Sequence, residues 1–524
     1  MNNRKNIWTG FIILFAIIIL VTLLSQSFFA RLDFSRGKVY SLSKASKQSV
    51  KDLDDRLVIK AYFSKALPGE YADSRRFTQD LLDEYQAYSG GNLRYEFVDP
   101  VDEDDLKEEA QKNQIQPMTM RVNEQDQLVL REIYMGLAFH YQDKTESIPF
   151  VQNTQGLEYD ITKTIKKIAA QSMKQLAFFS TDNEEVPMGR GQMSSPYQTV
   201  RQIVSESYEL ADIDLTEPLT IDTDALFVTS ISDTLTETQL YNLDQYIMQG
   251  GNVIFFQDRV VADIQQNVAE INGSNLLDLL ESYGIVAKKN LVADAECGQI
   301  QIQRQQGFFR VNTPVKYPYF PIITERNKKN PIVKNLDMMQ MVFVSEIDTS
   351  FAKNSFEPLL YTSKNTGQTS GPRFDISYNR YMQKDLRQEL QEGRKILGGI
   401  YSGTFESYFA GNEAYPEVIP GTDNAKVIFV PSGNFIREGA GAGVAGNMDF
   451  ALNAVDYLAG DASLIQIRSR ETEYRPLKPV ESNSMRQLIK WSNILLPSLL
   501  LIIYGILRWR KESKRKSRIG ELYE

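Results

Sequence analysis

The sequence predicts an α/β chain whose soluble body, built on a parallel sheet, is held between two membrane-spanning helices. Three observations carry this reading. An apolar stretch lies near each end, at Ile7–Phe29 and at Trp491–Trp509. Between them, short apolar runs alternate with amphipathic segments of helical period, the pattern of a sheet covered by helices on both faces. The composition, 42% hydrophobic with 27 Phe and 26 Tyr, supplies apolar volume for more than one core.

Residues 7–29 carry no charge and, at about 1.5 Å per helical residue, are long enough to cross a hydrocarbon layer of about 30 Å. A signal peptide has a similar basic start and apolar core. Phe28, Phe29 and Ala30 make a poor cleavage site, however, so the segment reads as an uncleaved anchor. The second span, 491–509, contains Pro497 and has Trp491 and Trp509 near the two interfaces. Orientation follows from basic flanks, because short Lys- and Arg-rich segments stay on the cytoplasmic side. Arg508, Arg510, Lys511, Lys514, Arg515, Lys516 and Arg518 place the C-terminal tail inside. Arg4 and Lys5 agree for the N-terminus, while Arg31, Arg36 and Lys38 pull the other way. Residues 30–490 are then expected in the periplasm and both termini in the cytoplasm.

The net charge of −9 argues against nucleic acid as a partner. One cysteine, Cys297, and one histidine, His140, bound the chemistry sharply. No intramolecular disulfide and no Cys/His zinc cluster can form, and a Ser-His-Asp triad would have to use His140. Cys297 reads as a buried thiol and His140 as a strand residue. No catalytic, cofactor or metal site is expected.

The expected division is a cytoplasmic N-terminus at 1–6, a span at 7–29, a linker at 30–55, a first domain at 56–152, a larger domain at 153–480, a linker at 481–490, a span at 491–509 and a basic tail at 510–524. Within the linker, residues 39–54 end in a helix capped near Ser43 or Ser46, and the first domain opens with a strand, Leu57–Phe63. A helix follows over Asp73–Tyr88, with Phe77, Leu81, Leu82 and Tyr85 on one face, and Gly90 and Gly91 stop it. Next come a strand, Leu93–Val98, and a short helix ending near Gln114. A hairpin then joins Met118–Val122 to Gln127–Tyr141. This order resembles a thioredoxin-like domain, but Ser64-Lys65-Ala66-Leu67-Pro68 stands where a redox member has its cysteines. The acidic run Asp102–Asp105 reads as a solvated helix start that complements the helix dipole.

After a helix at Leu157–Gln171, the strands Gln175–Ser180, Glu209–Leu215, Ala225–Thr229, Asn252–Gln257 and Lys426–Val430 alternate with helices. These are Pro196–Ser207, Thr236–Gln249, Leu276–Tyr283 and Met448–Leu458. The stretch 298–381 reads as mixed strand and loop. The pattern is Rossmann-like and invites comparison with class I glutamine amidotransferases. Asp182-Asn183-Glu184 and Ser230-Ile231-Ser232 stand at strand ends where those enzymes place a nucleophilic cysteine, and neither turn has one. Gly441-Ala442-Gly443-Val444-Ala445-Gly446 fits GxGxxG, but the preceding strand ends near Val430 and no acid follows about twenty residues on, so it reads as a flexible loop. No Walker A pattern occurs, which assigns ATP-driven work to a partner.

The string Leu32-Asp33-Phe34-Ser35-Arg36-Gly37-Lys38-Val39-Tyr40-Ser41-Leu42-Ser43, together with Tyr246-Ile247-Met248-Gln249-Gly250-Gly251-Asn252-Val253, resembles the GldG family. Asn447 to Asp461, Ile467-Arg468-Ser469-Arg470 and Arg475-Pro476-Leu477 extend the resemblance over nearly the whole chain. That family is an auxiliary component of ABC transport systems associated with gliding motility. The resemblance implies a non-catalytic inner-membrane subunit, without cofactors, that works with an ABC permease and a separate ATPase. Its ectodomain would meet a periplasmic protein or ligand. The basic tail would contact a cytoplasmic partner or anionic lipid. A tethered solute-binding protein and a hydrolase using Ser or Asp are the alternative readings.

Overall fold

The computed structural model describes residues 41–520 apart from 469–482 and the short stretches 66, 68–70, 125–126, 152–153, 155, 190, 221, 307–308, 324, 383, 461–463 and 466. The first expected span, with Ile7 and Phe29, lies outside the described residues. The chain divides into a body up to Glu473 and a C-terminal unit from Tyr474.

The body begins with helix α1, Lys44–Lys51, capped by Ser43, whose hydroxyl accepts the Ser46 N–H. Strand β1, Leu57–Phe63, helix α2, Ser74–Tyr88, and strand β2, Leu93–Val98, follow as the alternating apolar and helical periods require. Helix α3 is Asp104–Lys112, and Asp104 and Asp105 sit in its first turn. The hairpin pairs β3, Met118–Glu124, with β4, Gln127–Ile133.

The expected single strand 127–141 is broken. A separate strand β5, Met135–Tyr141, leaves the hairpin and joins a four-stranded sheet of order β2-β1-β5-β6, where β6 is Lys144–Ile148. The break falls at Tyr134, whose N–H donates to Ser64 Oγ and whose carbonyl accepts the Ser64 N–H. Those bonds fix the chain between two sheets, and periodicity cannot register them because both strands alternate alike. β1 and β2 are parallel, while β5 is antiparallel to both β1 and β6. Leu57, Ile59, Ala61 and Phe63 pack on Leu82 and Tyr85 of α2 and on Ile161 and Ile165 of helix α4, Leu157–Ala169. Tyr62 and Ala138 pack on Ala110 of α3 across the other face. Helix α1 belongs to this core, with Val50 fully buried, so the segment assigned to a linker at 30–55 is part of the body from α1 onward.

An eight-stranded sheet follows. Its named strands are β7, Gln175–Ser180; β8, Glu209–Asp212; β9, Thr223–Thr229; β10, Val253–Phe256; β11, Ser355–Tyr361; β12, Ile396–Ser402; and β13, Lys426–Val430. The order is β8-β7-β9-β10-β13-β12-β11, closed by the short strand Glu325–Arg326. From β8 to β13 neighbours are parallel, and from β13 onward they are antiparallel. The sheet is therefore mixed where a parallel one was expected. Gly398 and Gly399 explain why β12 is hard to read: they weaken the strand signal. Packing asks for glycine at 399, since a Cβ there would lie 2.3 Å from the Phe356 ring.

Helices α5, Gln198–Ser205, and α8, Ala445–Leu458, cover one face through Val200, Val204, Phe450 and Val455. Helices α6, Glu237–Met248, and α7, Leu276–Ser282, cover the other through Leu243, Ile247, Leu276 and Leu280. All four residues of β10 are buried, as a strand covered on both faces demands. The region 298–381 contributes a long hairpin, Cys297–Gln306 with Phe309–Ile323, and part of a further apolar cluster around Tyr317, Tyr319 and Phe343.

The GxGxxG segment is a packed turn, not a flexible loop. A Cβ on Gly441 would meet the Phe435 carbonyl oxygen at 2.1 Å, and one on Gly446 would meet that of Met338 at 2.5 Å. The Asn447 amide donates to the Phe435, Gly441 and Gln340 carbonyls, fixing the start of α8.

In the C-terminal unit one helix, α9, runs over Asn483–Gly520. It takes in residues 483–490, assigned to a linker, and most of the basic tail. At 1.5 Å per residue it is about 57 Å long, well beyond the ~30 Å of a hydrocarbon layer. Ser484–Glu512 is long and apolar enough to cross a membrane.

Candidate functional site

The C-terminal ends of β7, β9, β10 and β13 open onto a cleft of about 400 Å³. Its lining includes Asp182, Asn183, Ser230, Asp258, Asn434 and Arg437. In open α/β sheets this edge is where ligands bind. The two loops that the sequence placed at strand ends, 182–184 and 230–232, meet here. The structure adds Asp258, which follows β10, and Arg437, beyond β13.

Local bonds hold each loop. The Asp182 N–H donates to Ser180 Oγ, and Asp182 Oδ1 accepts the Glu184 N–H. Gln257 clasps Ile231 from both sides, accepting its N–H at 2.8 Å and donating to its carbonyl at 2.8 Å. Asn272 donates to the carbonyls of Ile231 and Asp258. Ser230 is held at φ +50°, a left-handed conformation unusual for a serine, at the turn between strand and cleft.

The charges are unequally satisfied. Asp182 accepts Arg437 Nε at 2.7 Å and the Tyr197 hydroxyl at 3.1 Å, and Arg437 lies 3.7 Å from Glu184. Asp258, only 7% exposed, accepts the Gly433 N–H at 3.0 Å on Oδ1. Burial pushes its carboxyl up to about 7; the Gly433 N–H and Arg437 oppose the rise and Asp182 adds to it. A carboxyl held above its ordinary value keeps a proton in the folded state that the unfolded chain has released. Its contribution to stability therefore falls as pH rises from about 4 to about 7. The thermal midpoint of the wild type relative to Asp258→Asn is expected to fall across that window, and parallel profiles would contradict this.

Gly433 is required by the close approach of two loops. A Cβ there would lie 2.0 Å from Ser230 Oγ and 2.7 Å from Asp258 Oδ2. Gly433→Ala is expected to cost about 1–3 kcal/mol by overpacking, read as a lowered thermal midpoint; an unchanged midpoint would show that the loops yield freely.

The lone histidine and cysteine lie elsewhere. His140, in β5, contacts the Thr145 hydroxyl, and burial beside Lys60 lowers its pKa. Cys297 is buried, and burial pushes its thiol up to about 11, away from thiolate chemistry. Neither side chain lines the cleft. Trp491 and Trp509 are exposed on α9, which also carries Arg508, Arg510, Lys511, Lys514, Arg515, Lys516 and Arg518.

A second feature is the place where the first and last described segments of the body come together. The Leu42 N–H donates to Glu84 Oε2 at 2.8 Å, and the Ser43 N–H and Ser46 Oγ both donate to Glu158 Oε1 at 2.6 Å. Arg468 bonds to the hydroxyl of Tyr159, the residue after Glu158, and its guanidinium lies 4.5 Å from that ring centroid. It also bonds to Asn453 and to Asp456, the latter at 3.1 Å. Ala45, Leu464 and Ile467 pack together against Tyr159. The described segments at Ser43 and Arg468 thus meet on the first turn of α4. Sequence strings singled out for their resemblance, Ser41-Leu42-Ser43 and Ile467-Arg468, are the ones that make these contacts.

Residues 169–454 match a family described as an ABC-type uncharacterized transport system, and residues 36–140 match a domain of unknown function, DUF7088. The chain belongs to the first of these, an auxiliary component family of ABC transport systems. An uncharacterized protein of Borreliella burgdorferi is 23% identical over 537 residues, covering 98% of this chain and 100% of the relative. Among solved structures, the mmIFT52 N-terminal domain aligns with a TM-score of 0.31 at 10% identity, over 54% of this chain and 97% of that one. A ThuA-like protein from Parabacteroides merdae aligns at 0.29 and 11%, over 55% and 90%. Neither alignment is close enough to bear on function.

Proposed function

We propose that the chain is a non-catalytic auxiliary subunit of an ABC transport system of the gliding-motility type, anchored in the inner membrane at both ends. Its body, 30–490, faces the periplasm, and both termini lie in the cytoplasm. The observation that carries this reading is the meeting of Ser43 and Arg468 on one turn of α4. A body whose first and last described segments lie side by side is suited to two neighbouring membrane helices. The family supports the transport role, and the apolar α9 followed by its basic end supports the inside C-terminus.

In this reading the four-stranded unit is a thioredoxin-like domain used for binding or spacing, with Ser64 and Lys65 where redox members place thiols. The eight-stranded unit is the Rossmann-like, amidotransferase-like domain. Permease and ATPase subunits supply the channel and the ATP hydrolysis. The basic residues Arg508 to Arg518 meet a cytoplasmic partner or anionic lipid. Affinity purification of the full-length protein from native membranes is expected to recover an ABC permease and an ATPase. Recovery of neither would overturn the proposal.

A further inference from the structure

We propose that the cleft at the C-terminal edge of the eight-stranded sheet binds a small polar molecule through a primary ammonium group seated on Asp258. The cavity, about 400 Å³, falls within the range of small-molecule sites. It stands where parallel strands of different loops end together. Its charges single out one unmet acceptor.

Asp182 is satisfied by Arg437, Tyr197 and the Glu184 N–H. Arg437 is in turn neutralised by Asp182 and Glu184. Asp258 has a single neutral N–H on Oδ1, and among the described residues no hydrogen bond or ion pair engages Oδ2. That oxygen lies on the side of Ser230, at the cleft. The charged groups facing Asp258 are Asp182 and Glu184 from the loop after β7 and Arg437 from the loop after β13. Arg259, next in the chain, sits in the field of Glu281 and Asp278.

A buried carboxylate with no cation bonded to it is costly, and a hydroxyl from a neutral ligand offsets only part of that cost. An ammonium supplies both the charge and the hydrogen-bond donors. Among the described residues no three His, Cys, Asp or Glu side chains gather as metal ligands do, so an organic cation is the fitting partner. Asn183, Asn434 and Ser232 at the rim offer amides and a hydroxyl for the rest of a polar molecule.

Serinol and glycerol differ only in an ammonium against a hydroxyl at the central carbon, and calorimetric titration of the full-length protein in nanodiscs with each tests the proposal. Serinol is expected to bind at least about ten-fold more tightly than glycerol, the ratio expected of one charge-assisted contact. Its affinity is expected to fall several-fold from pH 8 to pH 6 as Asp258 takes up a proton. Asp258→Asn should weaken serinol about ten-fold or more. Equal binding of the two compounds, no binding of serinol, or a pH-independent affinity would overturn the proposal without recourse to a variant. None of these outcomes touches the anchoring of the chain, which rests on other residues.

Discussion

Replacing Arg468 by methionine is expected to destabilise the body by about 3–5 kcal/mol, the cost of removing one partner from a buried ion pair. Asp456 is 1% exposed and would lose the guanidinium from Oδ2 while keeping the Tyr208 hydroxyl, at 2.6 Å, on Oδ1. Asn453 would lose its guanidinium partner, and Tyr159 would lose both a hydrogen bond and a cation over its ring. Methionine keeps much of the side-chain volume, so the loss reports charge and hydrogen bonds rather than a cavity. A thermal or urea midpoint of the full-length protein in nanodiscs measures it. A loss below about 1 kcal/mol, the range of exposed pairs, would show that Arg468 is solvated and does not tie the end of the body to α4.

Glu158→Ala is expected to cost about 2–4 kcal/mol, because the Ser43 N–H and Ser46 hydroxyl would lose a charged acceptor in a buried setting. The effect should concentrate at α1, whose N-cap is Ser43. Hydrogen exchange over residues 44–51 would then rise before exchange in the eight-stranded sheet. Uniform acceleration, or none, would contradict the role given to Glu158. Since Glu158 and Tyr159 are consecutive, the Arg468 and Glu158 substitutions should also couple. A double-mutant cycle is expected to show about 0.5 kcal/mol or more of non-additivity, and strict additivity would mean that the two ends of the body are held independently.

Much of the fold was legible because burial imposes a period on the chain. β1, β2 and β13 occupy the residues that alternation or an unbroken apolar run predicts. Thr236 marks the start of α6 through a capping box with Gln239, a signal that local chemistry makes readable. What sequence could not supply was partnership between strands. The break at Tyr134 depends on Ser64, seventy residues away in the chain. The antiparallel half of the large sheet includes Gly399, fitted against the Phe356 ring, and Gly398, beside Leu360 and Val430. The glycines at 441–446 looked like a loop for the same reason: close approach to the Phe435 and Met338 carbonyls is invisible without the partner segments.

The cleft was half visible. The loops 182–184 and 230–232 stand out as turns after strands. Asp258 follows the strand Val253–Phe256 in the same way, so the rule that ligands gather at the ends of parallel strands would have reached it. Arg437 gives no such signal. It lies seven residues beyond β13 and enters the cleft only because the turn at Gly433 carries it there. The junction on α4 was legible as strings of residues but not as a place, because a single sequence does not say that Ser43 and Arg468 lie on neighbouring side chains.

The central claim is that a periplasmic body is tethered by a membrane helix at each end, and its most direct test is cysteine accessibility in intact cells. With Cys297 replaced by serine, a single cysteine is placed at Met193, which is 53% exposed on the body, or at Glu524 in the tail. A thiol reagent that enters the periplasm but does not cross the inner membrane should label position 193 in intact cells and position 524 only after permeabilisation. Labelling of 524 but not 193 in intact cells, or a chain that fractionates as soluble protein, would contradict the account.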